Sequence, residues 1–389
     1  MIARAEPRLD VARHGFGAAA LVERVLDQAG IRLNGPAPWD LQVHDDRFYR
    51  RALVDGTLGI GESYMDGWWD CERLDELVAR VLRAEALREI PVYFKGKAAL
   101  AWLQARLFDL QTVPFARRSI AFHYDIGNDF FERMLGRSMA YSCAYWPEAR
   151  DLNEAQDAKH ELVCRKLDLR PRDRVLDIGC GWGAFASYAA RHYGCRVVGI
   201  TISAAQAESA RQRCRRLPVE IYLLDYRAPE LDEFGPFDKV ASIGMFEHVG
   251  ARNYRAFMQL VDGLLSPNGL FLLHTIGSLR SAASDPWLRK YIFPGGTLPS
   301  AADVVRAADG LFVMEDWHNF RFDYDRTLMA WHENYAAMVA EKPDRFDPTF
   351  VRMWRFYLLA CAGAFRAGNH NQLWQILFSK RGAAVTRQR

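Results

Sequence analysis

Glu247 and His274 stand where two apolar runs end, in SIGMFEHVG and LLHTIG, and an acid and an imidazole so placed can hold or move a proton. Earlier in the chain, RVLDIGCGWG (residues 174–183) runs from Val175, Leu176 and Ile178 through Asp177 into Gly179, Gly181 and Gly183. A short buried strand that breaks into a glycine turn and then a helix has this pattern. Glycine removes the Cβ where backbone turns tightly against a ligand. The pattern is G-x-G-x-G, without the later glycine of the dinucleotide fingerprint. Chemistry is therefore expected around Glu247 and His274, opposite the glycine turn.

Other apolar runs end in polar residues too. GITIS-x-x-Q brings Thr201, Ser203 and Gln206 to the end of the second run. A nucleotide-ribose site of the dehydrogenase kind has an acid there, so Thr201 weakens that reading. The third ends in Asp225-Tyr226-Arg227, where a carboxylate could accept from an adenine amine. Bland readings stand beside these. Asp177 could accept amides of its own turn, Glu247 could cap the helix near Asn253, and His248 could be a structural histidine. Cys143 taken alone reads as a small buried hydrophobe. No H-x-x-H or C-x-x-C spacing argues for a metal.

The elements that must place these residues show from Arg174 onward. Strand-like runs are Val175–Ile178, Val197–Ile202, Glu220–Leu224, Lys239–Ile243, Leu270–His274, Leu311–Glu315 and Leu373–Phe378. Helix-like stretches lie between, at Ala184–Tyr193, Ala204–Arg215, Tyr254–Leu264, Ala301–Ala308 and Asp323–Val339. The alternation predicts an α/β fold with a doubly wound, mostly parallel sheet, whose ligand lies outside the carboxyl ends of the strands. The N-terminal third lacks strand alternation. Phe16–Ala29 is amphipathic, Trp39–Asp75 reads as short helices and loops, and Leu74–Phe108 reads as mostly helical. Ala121–Trp146 reads as an aromatic-rich connection, a candidate lid.

At 389 residues the chain has room for two or three domains. Its net charge of +3 says little, but eight basic residues against three acids between Val78 and Ile120 say more. The seven scattered cysteines predict reduced thiols and a cytoplasmic protein. The charged first residues predict no signal peptide, and no run is long and apolar enough to span a membrane.

Taken together the longer strings resemble one family. VLDIGCGWG, GITIS-x-x-Q, SIGMFEHVG, YIFPGGTLPS and DYDRTLMAW follow in order, with HYDIGNDFF and YSCAYW upstream and FYLLACAGAFRAGNHNQLWQILFSKRG at the end. From about Asp46 to Arg381 the chain resembles cyclopropane-fatty-acid-phospholipid synthases, which are S-adenosylmethionine-dependent methyltransferases. The resemblance implies a seven-stranded class I methyltransferase sheet with a smaller, mainly helical N-terminal domain. Residues 1–118 would be the lipid-associated domain and residues 119–389 the catalytic one.

The implied reaction adds a methylene from S-adenosylmethionine across a cis double bond of an acyl chain in membrane phospholipid. An alkene is a poor nucleophile, so the reactants must be held close and in line. The carbocation that follows must be kept dry, and aromatic faces can stabilise it. Tyr124, Phe130, Tyr145, Tyr291 and Phe293 suit that task, with core packing as the plainer account. The resemblance further implies that a bound bicarbonate is the base, held by Cys143, Glu247, His274, the Ile276 backbone and Tyr324. It implies cofactor contacts from Tyr124, Tyr141, Ser142, Asp177, Gly179, Gly181, Thr201, Gln206, Asp225 and Tyr226. No metal and no nucleic-acid partner is implied. A homodimer is, lying peripherally on the inner face of the membrane. The basic segment Tyr93–Arg118 is then expected at the bilayer surface.

Overall fold

The computed structural model describes residues 15–85, 127–368 and 370–381. The seven apolar runs form one sheet of β1 (Arg174–Ile178), β2 (Arg196–Thr201), β3 (Val219–Leu223), β4 (Phe237–Ile243), β5 (Leu265–Ser278), β6 (Phe312–Asn319) and β7 (Asn371–Lys380). They lie in the order β6-β7-β5-β4-β1-β2-β3. Strands β1 to β5 pair in parallel, whereas β7 runs antiparallel to both β5 and β6. The order reverses at β1, which lies between β2 and β4, so the glycine turn after β1 occupies the switch point. This is the expected doubly wound, mostly parallel sheet.

The described helices are α1 (Gly15–Gln28), α2 (Arg47–Met65), α3 (Leu74–Arg83), α4 (Asn128–Leu135), α5 (Leu152–Lys166) and α6 (Ala184–Tyr193). They continue with α7 (Ala204–Cys214), α8 (Tyr254–Leu264), α9 (Pro286–Tyr291), α10 (Ala301–Ala308), α11 (Arg321–Glu341) and α12 (Pro348–Ala367). Alternation along β1 divides the core. Val175 packs with Phe185 and Ala189 of α6 and Val163 of α5, while Leu176 and Ile178 pack with Phe257, Val261 and Val304 of α8 and α10. The central β1 is thus buried on both sides, as an interior strand of a parallel sheet requires.

A third core joins the two ends of the chain. Phe48, Tyr64 and Leu74 of α2 and α3 meet Trp354, Phe356 and Tyr357 of α12 and Trp331 of α11. Ion pairs reinforce it. Asp75, almost fully buried, is held by Arg73 and by Arg366 of α12, which also binds Asp325 of α11.

Within Trp39–Asp75, α2 is two short helical runs either side of Gly56, whose φ of +58° breaks them, in keeping with the expected short helices. Two local expectations change. The described part of the Ala121–Trp146 connection contains α4, whose Phe130 and Phe131 are buried against Trp354 and Trp182. Helices α5 and α12 are additions to the expected set. The segment Tyr93–Arg118 lies outside the described residues, and α3 is the described part of the Leu74–Phe108 stretch. Among the described residues no helix is long and apolar enough to cross a membrane.

Candidate active site

A cavity of about 220 Å³ opens along the carboxyl ends of β3, β2, β1 and β4. At the β3 end stand Asp225, Tyr226 and Arg227; next come Thr201 and Gln206 after β2; then Asp177, Gly179 and Gly181 after β1; then Gly244 and Met245 after β4. Gly179 has φ +82°, and a Cβ on it would come within 2.8 Å of the Met245 side chain, so this wall must be bare backbone. Tyr141, Ser142 and Phe293 close the opposite side. Nine of the expected cofactor residues therefore line one space: Tyr141, Ser142, Asp177, Gly179, Gly181, Thr201, Gln206, Asp225 and Tyr226. Tyr124 lies outside the described residues.

Several of these side chains already have partners. Both carboxylate oxygens of Asp225 accept from the Arg227 guanidinium at 2.8 Å, so any adenine amine would share that carboxylate with a cation. The Thr201 hydroxyl donates to Gln206 Oε1 at 2.9 Å, and Ser203 caps α7 by accepting from the Gln206 amide. Asp177 is different. Its Oδ2 is buried with no hydrogen-bond partner, and burial pushes its carboxyl up to about 7, although Lys159 pulls the other way.

Beyond the cavity wall lies a second polar group in an apolar setting. Glu247 sits in the short turn after β4, where its Oε1 accepts from the Ile276 amide at 2.6 Å. Its Oε2 is buried without a partner, and burial pushes the carboxyl up to about 7. His274, on β5, accepts or shares a hydrogen with Gln375 of β7 through Nδ1 at 3.3 Å, and its Nε2 is buried without a partner. Burial, with the positive charges of Lys159 and Lys166, keeps that ring neutral. Cys143 Sγ lies 3.1 Å from the Ala144 carbonyl, and burial drives its pKa up, so it remains a thiol. Burial drives the Tyr324 pKa up, with Cys143, Tyr141 and Glu247 acting in the same direction, so it remains a phenol. Ile276 differs from expectation in one respect: its amide already donates to Glu247. Two unpartnered buried atoms, one an acceptor, suit a small ligand able to donate and accept, as bicarbonate is.

The aromatic set is mostly structural. Phe293 lines the cavity. Phe130 belongs to the aromatic core, Tyr145 packs on His318 and Phe320, and the Tyr291 hydroxyl donates to Glu62 at 2.9 Å.

Several residues that shape the site were not singled out from the sequence. Loop 140–146 is clamped from α5 and α11. Gln156 donates to the Ser142 carbonyl at 2.9 Å, and Lys159 Nζ donates to Ser142 Oγ at 2.9 Å. Thr327 Oγ1 accepts from the Ala144 amide and from Trp146 Nε1, while Asp323 accepts from the Trp146 amide. Lys159 and His160 are both buried and both line the cavity. Their polar helix gives no apolar stripe to mark them. Among the described residues no group of His, Cys, Asp and Glu could hold a metal ion.

Comparison with known proteins places this geometry. The family model described as mycolic acid cyclopropane synthetase matches residues 113–376. The chain is 50% identical over 361 residues to the cyclopropane-fatty-acyl-phospholipid synthase of Escherichia coli K12, covering 92% of this chain and 93% of that one. Among solved structures it is similar to the cyclopropane synthase MmaA2 of Mycobacterium tuberculosis, at 31% identity and TM-score 0.62, over 68% of this chain and 98% of the other. It is also similar to mycolic acid cyclopropane synthase CmaA1 complexed with SAH and CTAB, at 32% identity and TM-score 0.60, over 68% and 98% of the two chains.

Proposed function

Because the chain belongs to the mycolic acid cyclopropane synthetase family, we propose that it builds cyclopropane rings into unsaturated acyl chains of membrane phospholipids. Membership makes it an S-adenosylmethionine-dependent methyltransferase. In the proposed reaction S-adenosylmethionine supplies the one-carbon unit to a cis double bond, and bicarbonate takes the proton whose loss closes the ring.

The residues divide that work between two compartments. Gly179 and Gly181 offer bare backbone, Thr201 and Gln206 offer the middle of the cavity polar groups, and Asp225 with Tyr226 closes the far end. Tyr141 and Ser142 line this cavity and lead directly into Cys143 of the buried group. There Glu247 Oε2 accepts the base's own hydroxyl hydrogen, while His274, Cys143 and Tyr324 surround it with neutral groups. Bicarbonate, and not Glu247 itself, takes the proton in this reading, since a bare protein carboxylate beside the carbocation risks being alkylated. The observation that carries this reading is the buried, unpartnered Glu247 Oε2 held beside a glycine-walled cavity.

The bilayer must then be reached from its surface. We assign that to residues 1–118, with Lys95 and Lys97 in the basic segment, and assign catalysis to residues 119–389 of a homodimer peripheral to the inner face of the membrane. Each Lys or Arg near an anionic surface contributes about 1 kcal/mol. Reversing the charge of Lys95 and Lys97 should weaken binding to anionic vesicles in a flotation assay. Unchanged flotation would remove this segment from the membrane face.

The direct test is mass spectrometry of unsaturated phospholipid vesicles incubated with the protein, S-adenosylmethionine and bicarbonate. Acyl chains should gain one CH2 and lose the double bond. Glu247→Gln should nearly abolish the product while cofactor binding persists. A gain of CH2 with a double bond or a branch retained would reassign the chain to methyl addition without ring closure.

A further inference from the structure

Lys159 is 1% exposed, on the inward face of α5, and it lines the cavity. A buried ammonium normally has a carboxylate partner, because an unpaired charge in an apolar interior is costly. Among the described residues no carboxylate lies within ion-pair distance of Lys159 Nζ. Its recorded contact is neutral, the donation to Ser142 Oγ at 2.9 Å. The carboxylate that acts on it through space is that of Asp177, whose Oδ2 is unpartnered. Burial without a counter-ion pulls the Lys159 pKa down to about 8. The amine therefore faces a cavity with hydrogens to give and no internal anion to take them.

Its place along the cavity says which part of a ligand it meets. The strand order β3-β2-β1-β4 puts Asp225 and Tyr226 at one end, and Asp177 and Gly179 after β1 toward the other, where Ser142 lies against Gly244 after β4. An adenosyl group at the first end leaves its amino-acid tail at the second. That tail is a zwitterion carrying one carboxylate. We propose that Lys159 is the residue that recognises this carboxylate, with Ser142 fixing the direction in which the ammonium points. This rests on the donor reading above and adds a specificity-determining residue to it. A charge-assisted bond formed in a dry pocket is strong and selects for the anion. Empty-handed, Lys159 costs the folded protein stability; with the tail bound, the charge is neutralised.

The test compares ligands with and without the carboxylate by calorimetry on the full-length protein. S-Adenosylhomocysteine carries the whole tail, its decarboxylated analogue lacks only the carboxylate, and 5′-methylthioadenosine lacks the tail. Wild type should bind S-adenosylhomocysteine at least ~10-fold more tightly than the decarboxylated analogue. Lys159→Met should lose most of that preference while its affinity for 5′-methylthioadenosine stays within about threefold of wild type. Lys159→Arg, which keeps the charge, should retain part of the preference. Equal losses for all ligands in Lys159→Met would make the lysine merely structural and overturn the proposal. So would a wild type that does not distinguish the decarboxylated analogue, a result that needs no variant to fold. A wild type that binds none of the three ligands would instead overturn the donor reading itself.

Discussion

Glu247 is held where folding opposes its charge. The folded pKa, about 7, lies above the ordinary 4.5, so between those values the folded chain binds more protons than the unfolded one. Stability from this residue is therefore present below the ordinary value and lost as pH rises through about 7. Removing the charge should reverse that loss. Thermal melts of Glu247→Gln and wild type should show the variant gaining stability relative to wild type between about pH 5 and pH 8, by on the order of 3 kcal/mol. A pH-independent difference would mean that the ionised carboxylate finds compensation in the folded protein. Lys159 works in the opposite sense. Its folded pKa of about 8 lies below the ordinary 10.5, so its contribution rises as pH climbs between the two. Glu247 and His274 were legible in the sequence because each ends an apolar run. Lys159 was not, since a lysine on a polar helix has the pattern of a solvated face; only the placement of loop 140–146 over it makes it internal.

At the scale of elements, apolar runs bounded by turns marked all seven strands, most plainly the central parallel ones, which are buried on both faces and carry unbroken hydrophobic sequence. Helix α5 escaped for the converse reason: it buries Gln156, Lys159 and His160 beside its apolar residues, which blurs the periodicity. Helix α4 was hidden by turn-forming residues around Gly127 and Asn128. The close crossing of α3 and α12 was also invisible, since it depends on what Gly363 does not have. A Cβ there would come 2.3 Å from the Asp75 carbonyl oxygen. Gly363→Ala should therefore destabilise the protein by about 1–3 kcal/mol through overpacking, despite alanine's better helix propensity. A lowered melting temperature with S-adenosylhomocysteine affinity preserved in the surviving folded fraction is the expected result. A raised melting temperature would show that the crossing relaxes.

The whole molecule is tied through cores that the site touches. Cys143, Trp182 and Tyr324 belong to the same apolar cluster as the N-terminal helices and α12. Ligand in the cavity should thus stabilise the fold as well as fill the pocket. S-Adenosylhomocysteine at about 100 times its Kd should add about 2.7 kcal/mol, seen as a rise in melting temperature that scales with the logarithm of concentration. No shift with ligand would separate binding from folding.

Strand β7 has one more consequence, and it concerns time. Residues 371–380 seat themselves between β5 and β6, both of which are made earlier on the ribosome. Until they emerge, β5 presents a long apolar edge with its amides and carbonyls open to any passing strand, a ready template for misassembly. His274 also waits for Gln375. From the emergence of β5 until that of β7 the nascent chain therefore carries an unfinished seam through the middle of its sheet, and a translational stall just before Asn371 would leave that seam open.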